Sequence, residues 1–316
     1  MTIAVVGATG LVGRHVVEAL AEAGTGPIVA TWHVRNAYPV KNTRWVQCDL
    51  CDPDDARRAL QGADTAIVCV GQLSTSAALR RDPIESVLYT LRVVTSVLEA
   101  AGRLRLSRLV LMSSCTGYPE GESPATEEDM AYGDPPSQWF GVGWMHRYLE
   151  KQVSWYVQHV GLVGSAVVLR PTLLYGPHDN FTNEKGHFVP ALVRKVVARA
   201  RPIDVWGDGT QTRNLLHARD LAAAVVAVLP RAVAPLETFN VASPHDTSVN
   251  DTLRHLLEID GFADATITYD AARGGGPSAR AVSSAALTAA TGWTPRWGVR
   301  QGLADTVAWY RQSLAA

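Results

Sequence analysis

Apolar residues recur in two alternating rhythms through the first half of the chain. Short, β-branched runs at 3–6, 28–31, 45–47, 66–70, 109–112 and 166–169 predict buried strands. Between them, 11–23, 54–60, 84–101 and 145–159 carry apolar positions at helical spacing. Strand–helix alternation of this kind predicts an α/β fold with a doubly wound parallel sheet. After Pro171 the rhythm changes. Segment 176–180 predicts a loop, 187–200 a helix with Pro190 near its start, and 206–210 a tight turn. Helices follow at 220–229 and 299–311, with short strands at 240–241 and 267–268 and a glycine-rich loop at 274–277. The expected division is a sheet domain at 1–175 and a smaller, mostly C-terminal substrate lobe at 176–316. Segment 206–242 is expected to return to the sheet domain, and a cleft is expected between the two parts.

Composition narrows the class. The 316 residues are 47% hydrophobic and 19% charged with a formal net charge of −1, so neither nucleic acid nor an anionic membrane surface is an expected partner. The longest apolar runs, such as 221–229, are too short to span a bilayer. The first residues run straight into a glycine motif with no basic stretch and no long apolar core, so no signal peptide is read. The four cysteines fit the reduced thiols of a cytoplasmic protein. Cys48 and Cys51 have CxxC spacing but no second pair or nearby His, so no metal is expected.

The glycine motif adds chemistry. Gly7-Ala8-Thr9-Gly10-Leu11-Val12-Gly13 ends the first strand and opens the first helix. Glycines there let backbone approach a pyrophosphate while helix amides point at it, which makes this a Rossmann dinucleotide sheet. NAD sites place an acid near the end of the second strand for the ribose hydroxyls. Here Ala30-Thr31-Trp32-His33-Val34-Arg35 has no acid, whereas Arg14 and Arg35 can meet a 2′-phosphate. NADP is therefore the expected cofactor, with NAD the alternative. Asp49-Leu50 after the third strand either contacts the adenine or forms a turn.

The GxxGxxG spacing together with Ser113-Ser114-Cys115 resembles the extended short-chain dehydrogenase/reductase (NAD-dependent epimerase/dehydratase) family of nucleotide-sugar enzymes. The likeness extends from Ile3 to about Tyr310. It is most specific at 170–181, 186–192 and 206–210 with Arg213, which resemble the GDP-L-fucose synthase branch. The segments 216–220 and 291–295 are common to the wider group. The resemblance implies a nucleoside-diphosphate sugar held between the lobes. Asn180, Phe188, Trp206, Arg213 and Arg280 are the expected contacts: two planar cations for diphosphate, two aromatic faces and an amide. It also implies a homodimer through the helices at 84–101 and 145–159, on the first of which Leu88, Leu91, Thr95 and Leu98 form an apolar stripe. That stripe could equally pack on its own sheet.

The same resemblance implies a Ser at a strand end and a Tyr and Lys four residues apart on a helix. Ser113 or Ser114 supplies the first, depending on the direction of counting. The helix supplies neither of the others. One register places Phe140 and Trp144 at the two positions, and the other places Val142 and His146 there. Phe has no ionisable proton, and Trp has no charge. Cys115 and His187 match the acid–base pair that the branch uses for epimerisation, with Thr116 taking the place of Cys115 in the alternative count. Three functions remain open. The first is a keto-sugar reductase whose proton comes from Tyr118, Tyr132, His146 or water. The second is a redox-neutral epimerase, lyase or cyclase using Cys115 and His187. The third is a non-catalytic NADP-binding sensor.

Overall fold

The computed structural model describes residues 1–71, 82–121, 124–182, 187–231, 234–273 and 281–315. Arg280 and the glycine-rich loop at 274–277 lie outside the described residues.

Seven strands form the central sheet: β1 (Ile3–Val6), β2 (Ile28–Trp32), β3 (Thr43–Gln47), β4 (Thr65–Val68), β5 (Arg108–Met112), β6 (Ser165–Pro171) and β10 (Leu236–Val241). Their order is β10-β6-β5-β4-β1-β2-β3, and every neighbouring pair is parallel. Because β3 and β4 lie on opposite sides of β1, chain direction reverses at β1. The carboxyl ends of the strands at such a switch point open into a crevice.

Helices cover both faces. On one side lie α2 (Pro53–Leu60), α3 (Pro83–Arg103) and α4 (Phe140–Ser154), which closes in a π-helical turn at Trp155–His159. Val93, Val97, Leu98, Val142, Met145, Leu149 and Val153 bury their side chains there. On the other side α1 (Leu11–Glu22) packs against α6 (Ala218–Val228) through Val16, Val17, Leu20, Leu221, Ala224 and Val225. These helices are apolar on one stripe because each meets the sheet along one face only.

The remaining elements build a third core. It gathers β7 (Leu173–Tyr175), α5 (Phe188–Val197), β8 (Ile203–Trp206), β9 (Thr212–His217), β11 (Asp246–Ser248), α7 (Val249–Asp260), β12 (Ile267–Asp270) and α9 (Val299–Ala315). The short helix α8 (Ala285–Thr291) instead packs Leu287 onto the α1–α6 side of the sheet. Strands β7, β8, β9 and β11 and helices α7 and α8 have no counterpart in the sequence reading. These strands mix polar with apolar residues, as in Thr212–His217 and Asp246–Ser248, and lack the continuous apolar run that marks β1 and β4. Of the predicted stripe on α3, Leu98 is fully buried in its own core and Leu91 packs against it. The Thr95 hydroxyl faces Gln152 Oε1 of α4 at 3.4 Å, and Leu88 stays exposed. The stripe therefore belongs largely within the subunit. Among the described residues, no helix is long and apolar enough to cross a membrane.

Candidate active site

At the carboxyl end of β1, Gly7 takes φ +81°, and a Cβ there would sit 2.6 Å from Val70 Cγ1. A Cβ on Gly13 would collide with the Gly7 carbonyl. Only glycine allows the strand, the loop and α1 to close this tightly. Gly7 N donates to Thr31 Oγ1 (2.8 Å), and Gly10 N to Gly7 O (3.1 Å). Gly10 is the cap of α1 and has no side chain to satisfy the first-turn amides, and no acid stands in that turn. Thr9 and Gly10 thus lead into an amino end whose Leu11, Val12 and Gly13 amides face the loop, a geometry that suits a pyrophosphate.

The loop after β2 folds over this end. Tyr38 donates to Arg14 O (3.3 Å) and Ala8 O (3.4 Å), and the Arg14 guanidinium lies 3.8 Å from the Tyr38 ring centroid. Arg14 also pairs with Glu18 at 3.1 Å. Arg35 is exposed, and its charge reaches His178 and Asp179. Asp49 Oδ1 accepts from Cys51 N (3.0 Å), so one carboxylate oxygen shapes the turn, and Leu50 is buried beneath it.

At the end of β5 the two serines part. Ser113 Oγ donates to Glu150 Oε1 of α4 at 2.5 Å. Ser114 Oγ caps the short turn Cys115–Gly117, accepting from Thr116 N (3.2 Å) and Thr116 Oγ1 (3.0 Å). Glu150 is held in turn by Arg170 from β6, at 3.0 Å from Nε and 2.6 Å from Nη2. Arg170 Nη1 donates to the Tyr118 hydroxyl (2.8 Å), which donates to Asn240 Oδ1 (2.6 Å). Burial works against the Arg170 charge, but the Glu150 carboxylate outweighs it and raises its pKa. Burial pushes the Tyr118 phenol up to about 12. This buried network was missed in the sequence, although an Arg before Pro171 and a Glu four residues after His146 were visible.

Helix α4 decides between the two registers. Phe140 and Trp144 are 50% and 43% exposed and meet edge-on with ring centroids 6.4 Å apart, outside the core that packs on the sheet. Val142 is 4% exposed in the core, His146 is half-buried, and Glu150 reaches Ser113. The row facing the strand end is therefore Val142, His146, Glu150. It contains neither Tyr nor Lys. Burial lowers the His146 pKa to about 4, with Glu150 acting in the opposite direction.

Cys115 packs against Tyr118, Ala125, Met130, Ala242 and Val282, and burial pushes its thiol up to about 12. His187 caps α5, its Nδ1 is buried without a partner among the described residues, and burial lowers its pKa to about 4. Cys115 and His187 are not hydrogen-bonded to each other. Asn180 Oδ1 accepts from Thr182 N (3.0 Å) and Thr182 Oγ1 (2.8 Å). Phe188 packs on the third core, and Trp206 lies partly exposed at the end of β8. Arg213 on β9 is half-buried, donates to Thr212 O at 2.6 Å, and has its pKa lowered by burial. Among the described residues, no group of three His, Cys, Asp or Glu could hold a metal ion.

Residues 3–242 match the NAD dependent epimerase/dehydratase family. The chain belongs to that family. It is an enzyme of the extended short-chain dehydrogenase/reductase type. GDP-L-fucose synthase 1 of Arabidopsis thaliana is 28% identical over 98% of this chain and 93% of its own. The dTDP-4-dehydro-6-deoxy-D-allose reductase of Streptomyces bikiniensis is 25% identical over 98% and 96%. Among solved structures, UDP-glucose 4-epimerase of Thermotoga maritima with UDP-glucose superposes with a TM-score of 0.84 at 21% identity, covering 99% and 100% of the two chains. MoeE5 in complex with UDP-glucuronic acid and NAD gives a TM-score of 0.85 at 23% identity over the same shares. These two likenesses establish the fold.

Proposed function

We propose that this chain is an NADP-dependent ketoreductase or reductase-epimerase of nucleotide sugars. Its substrate resembles an NDP-4-keto-6-deoxyhexose, and its proton donor is atypical. One observation carries the reading. A tight dinucleotide cradle at β1 and a hydroxyl fixed by Glu150 at β5 open on the same end of one parallel sheet. Relatives whose names specify GDP-L-fucose and a dTDP-4-dehydro-6-deoxy sugar align over nearly the whole chain, which supports the substrate class.

The uncapped amino end of α1 would receive the pyrophosphate, and Arg14 and Arg35 a 2′-phosphate. A reduced dinucleotide bound there supplies hydride. Ser113 would hydrogen-bond the substrate oxygen while Glu150 fixes its rotamer. Arg213, Trp206, Phe188 and Asn180 would hold the nucleotide and sugar from the second lobe.

The test is NADPH oxidation with a panel of GDP-, dTDP- and UDP-linked 4-keto-6-deoxyhexoses, with NADH in parallel. Turnover with NADPH supports the reading. A redox-neutral reaction is the second reading, in which Cys115 and His187 would serve as the acid–base groups. Solvent deuterium entering the sugar without NADPH loss would select it. Tight NADPH binding with neither activity would leave a sensor.

We further infer that a second copy of this chain is the partner. Ile84 and Leu88 on α3 and Phe140, Trp144 and Tyr148 on α4 are exposed on two helices packed side by side. A two-fold pairing of such a helix pair would cover both at once.

A further inference from the structure

We propose that His146 is the residue that hands the proton to the substrate oxygen, from the corner between the carboxyl end of β5 and the first half of α4. The assignment rests on the keto-sugar reductase reading above.

Position comes first. Val142, His146 and Glu150 are spaced by four, so they share one face of α4 with a little over one turn, roughly 6 Å, between neighbours. Both ends of that row are fixed by contacts. Val142 is buried against the sheet, and Glu150 takes the hydrogen bond from Ser113. His146 therefore stands one turn from the residue that holds the strand-end hydroxyl. Beside it, a Cβ on Gly143 would lie 2.8 Å from Thr116 O, so the helix backbone and the turn after β5 already touch. The imidazole belongs to the same corner as Ser113.

Availability comes second. His146 is half-buried, and its ring has no hydrogen-bond partner among the described residues. The competing donors are committed or remote. The Tyr118 hydroxyl already serves Asn240 and Arg170 in a buried network. Tyr132 is 67% exposed, and its carbonyl is held by Arg147. Ser114 is engaged by Thr116, and Arg147 is spent on the carbonyls of Gly117, Gly133 and Tyr132.

Hydride would leave a C–H bond of the reduced nicotinamide, which is oxidised to its cationic form, and would form the new C–H bond on the carbonyl carbon; the carbonyl π pair moves to oxygen, and that oxygen takes the proton from the imidazolium as its N–H bond breaks. The neutral ring then regains a proton from solvent. The charged groups nearby are Glu150 on the same helix and Arg170 on β6, which Glu150 already neutralises. From β5 and its turn come Ser113, Cys115 and Thr116, all neutral. Glu150 therefore favours the imidazolium, and burial opposes it.

Because the ring gives up its proton readily, the reduction rate should climb about tenfold for each pH unit lowered between 8 and 6. His146→Asn should lose that slope and about 10²–10⁴-fold in kcat, with KM little changed. A second readout does not need turnover. In NMR titrations, the imidazole C2 proton signal absent from His146→Asn should shift when UDP-glucose or GDP-mannose binds wild-type protein loaded with NADP. Wild-type turnover with an unchanged rate and pH profile in the Asn variant would overturn the assignment. So would a His146 signal indifferent to both sugars. Absence of wild-type turnover on the whole panel would instead defeat the reductase reading itself.

Discussion

Helix α4 carries two rows of residues that face opposite ways. The inner row is Val142, His146 and Glu150, and the outer row is Phe140, Trp144 and Tyr148. A shift of two residues turns a helix by about 200°, so the two registers open in the sequence are its two sides. The inner row is packed, charged and tied to β5 and β6. The outer row is aromatic and exposed at 50%, 43% and 58%. Kinship in sequence pointed to the outer row, and contacts select the inner one. The Glu150 contacts place the inner row beside the ends of β5 and β6, a placement that local sequence likeness does not give.

The largest expected effect tests the inner row. Glu150→Ala would leave the Arg170 guanidinium without its carboxylate in a nearly closed site. Breaking a buried pair from one side costs about 3–5 kcal/mol. Urea denaturation of the variant should show that loss, and a change under 1 kcal/mol would mean that the row is not anchored there. Glu150→Gln should lose less, because it keeps an acceptor for Ser113.

A second effect separates packed histidines from exposed groups through pH. His217 sits 3.5 Å from Asp305, stacks on Trp297 at 4.5 Å, and lies within ring contact of His15 and Tyr175. His178 stacks edge-on against Trp309 at 4.6 Å. Burial lowers the pKa of His217 and of His178 to about 3. A histidine depressed in the folded state binds fewer protons than in the unfolded chain. Its stabilising effect is present above the ordinary pKa near 6.5 and is lost as pH falls towards about 3. Buried Asp179, raised to about 7, works the other way between pH 4 and 7. The histidines outnumber it, so net stability should fall on acidification. At pH 5 a residue such as His217 contributes a loss of up to about 2 kcal/mol. His217→Gln should flatten the stability curve between pH 7 and 5, and an unchanged slope would remove His217 from the account.

Much of the fold could be read from the chain because the buried parallel strands carry continuous apolar runs. Strand β1 matches its sequence expectation at both ends, and β2 to β6 match within a few residues. The glycine loop was legible for a related reason: Gly7 and Gly13 are required by backbone geometry, which needs no distant partner. The corner at the end of β5 depends on distant partners. Ser113, Glu150 and Arg170 come from three elements and meet only in the folded chain. No periodicity announces such a meeting. The short strands β7, β9 and β11 escaped for the same reason, since their pairing is non-local.

A third test addresses the outer row directly. Trp144→Glu with Tyr148→Glu places two charges on a face that is apolar and exposed in the single chain. If a second copy covers that face, sedimentation should show a shift to monomer, with the fold intact by circular dichroism. An unchanged mass would leave the outer row as plain surface. Neither position touches Ser113, so single-chain NADPH binding should stay within about twofold.

The smallest effect is the sharpest contrast. Phe140→Tyr restores, in one register, the phenol that the resemblance calls for. The ring is half exposed on the outer side of α4, so the added hydroxyl meets solvent and stability should move by less than about 0.5 kcal/mol. The turnover rate should not rise, because the phenol would point away from Ser113. A gain of tenfold or more would reverse the comparison and return the outer row to the active site. Val142→Tyr is the matched control: it places the same phenol on the inner row, but inside a packed core, where overfilling costs about 1–3 kcal/mol. Of these two positions, the exposed one has room for a tyrosine and the packed one does not, so the pair of variants separates the two faces of α4 by stability as well as by rate.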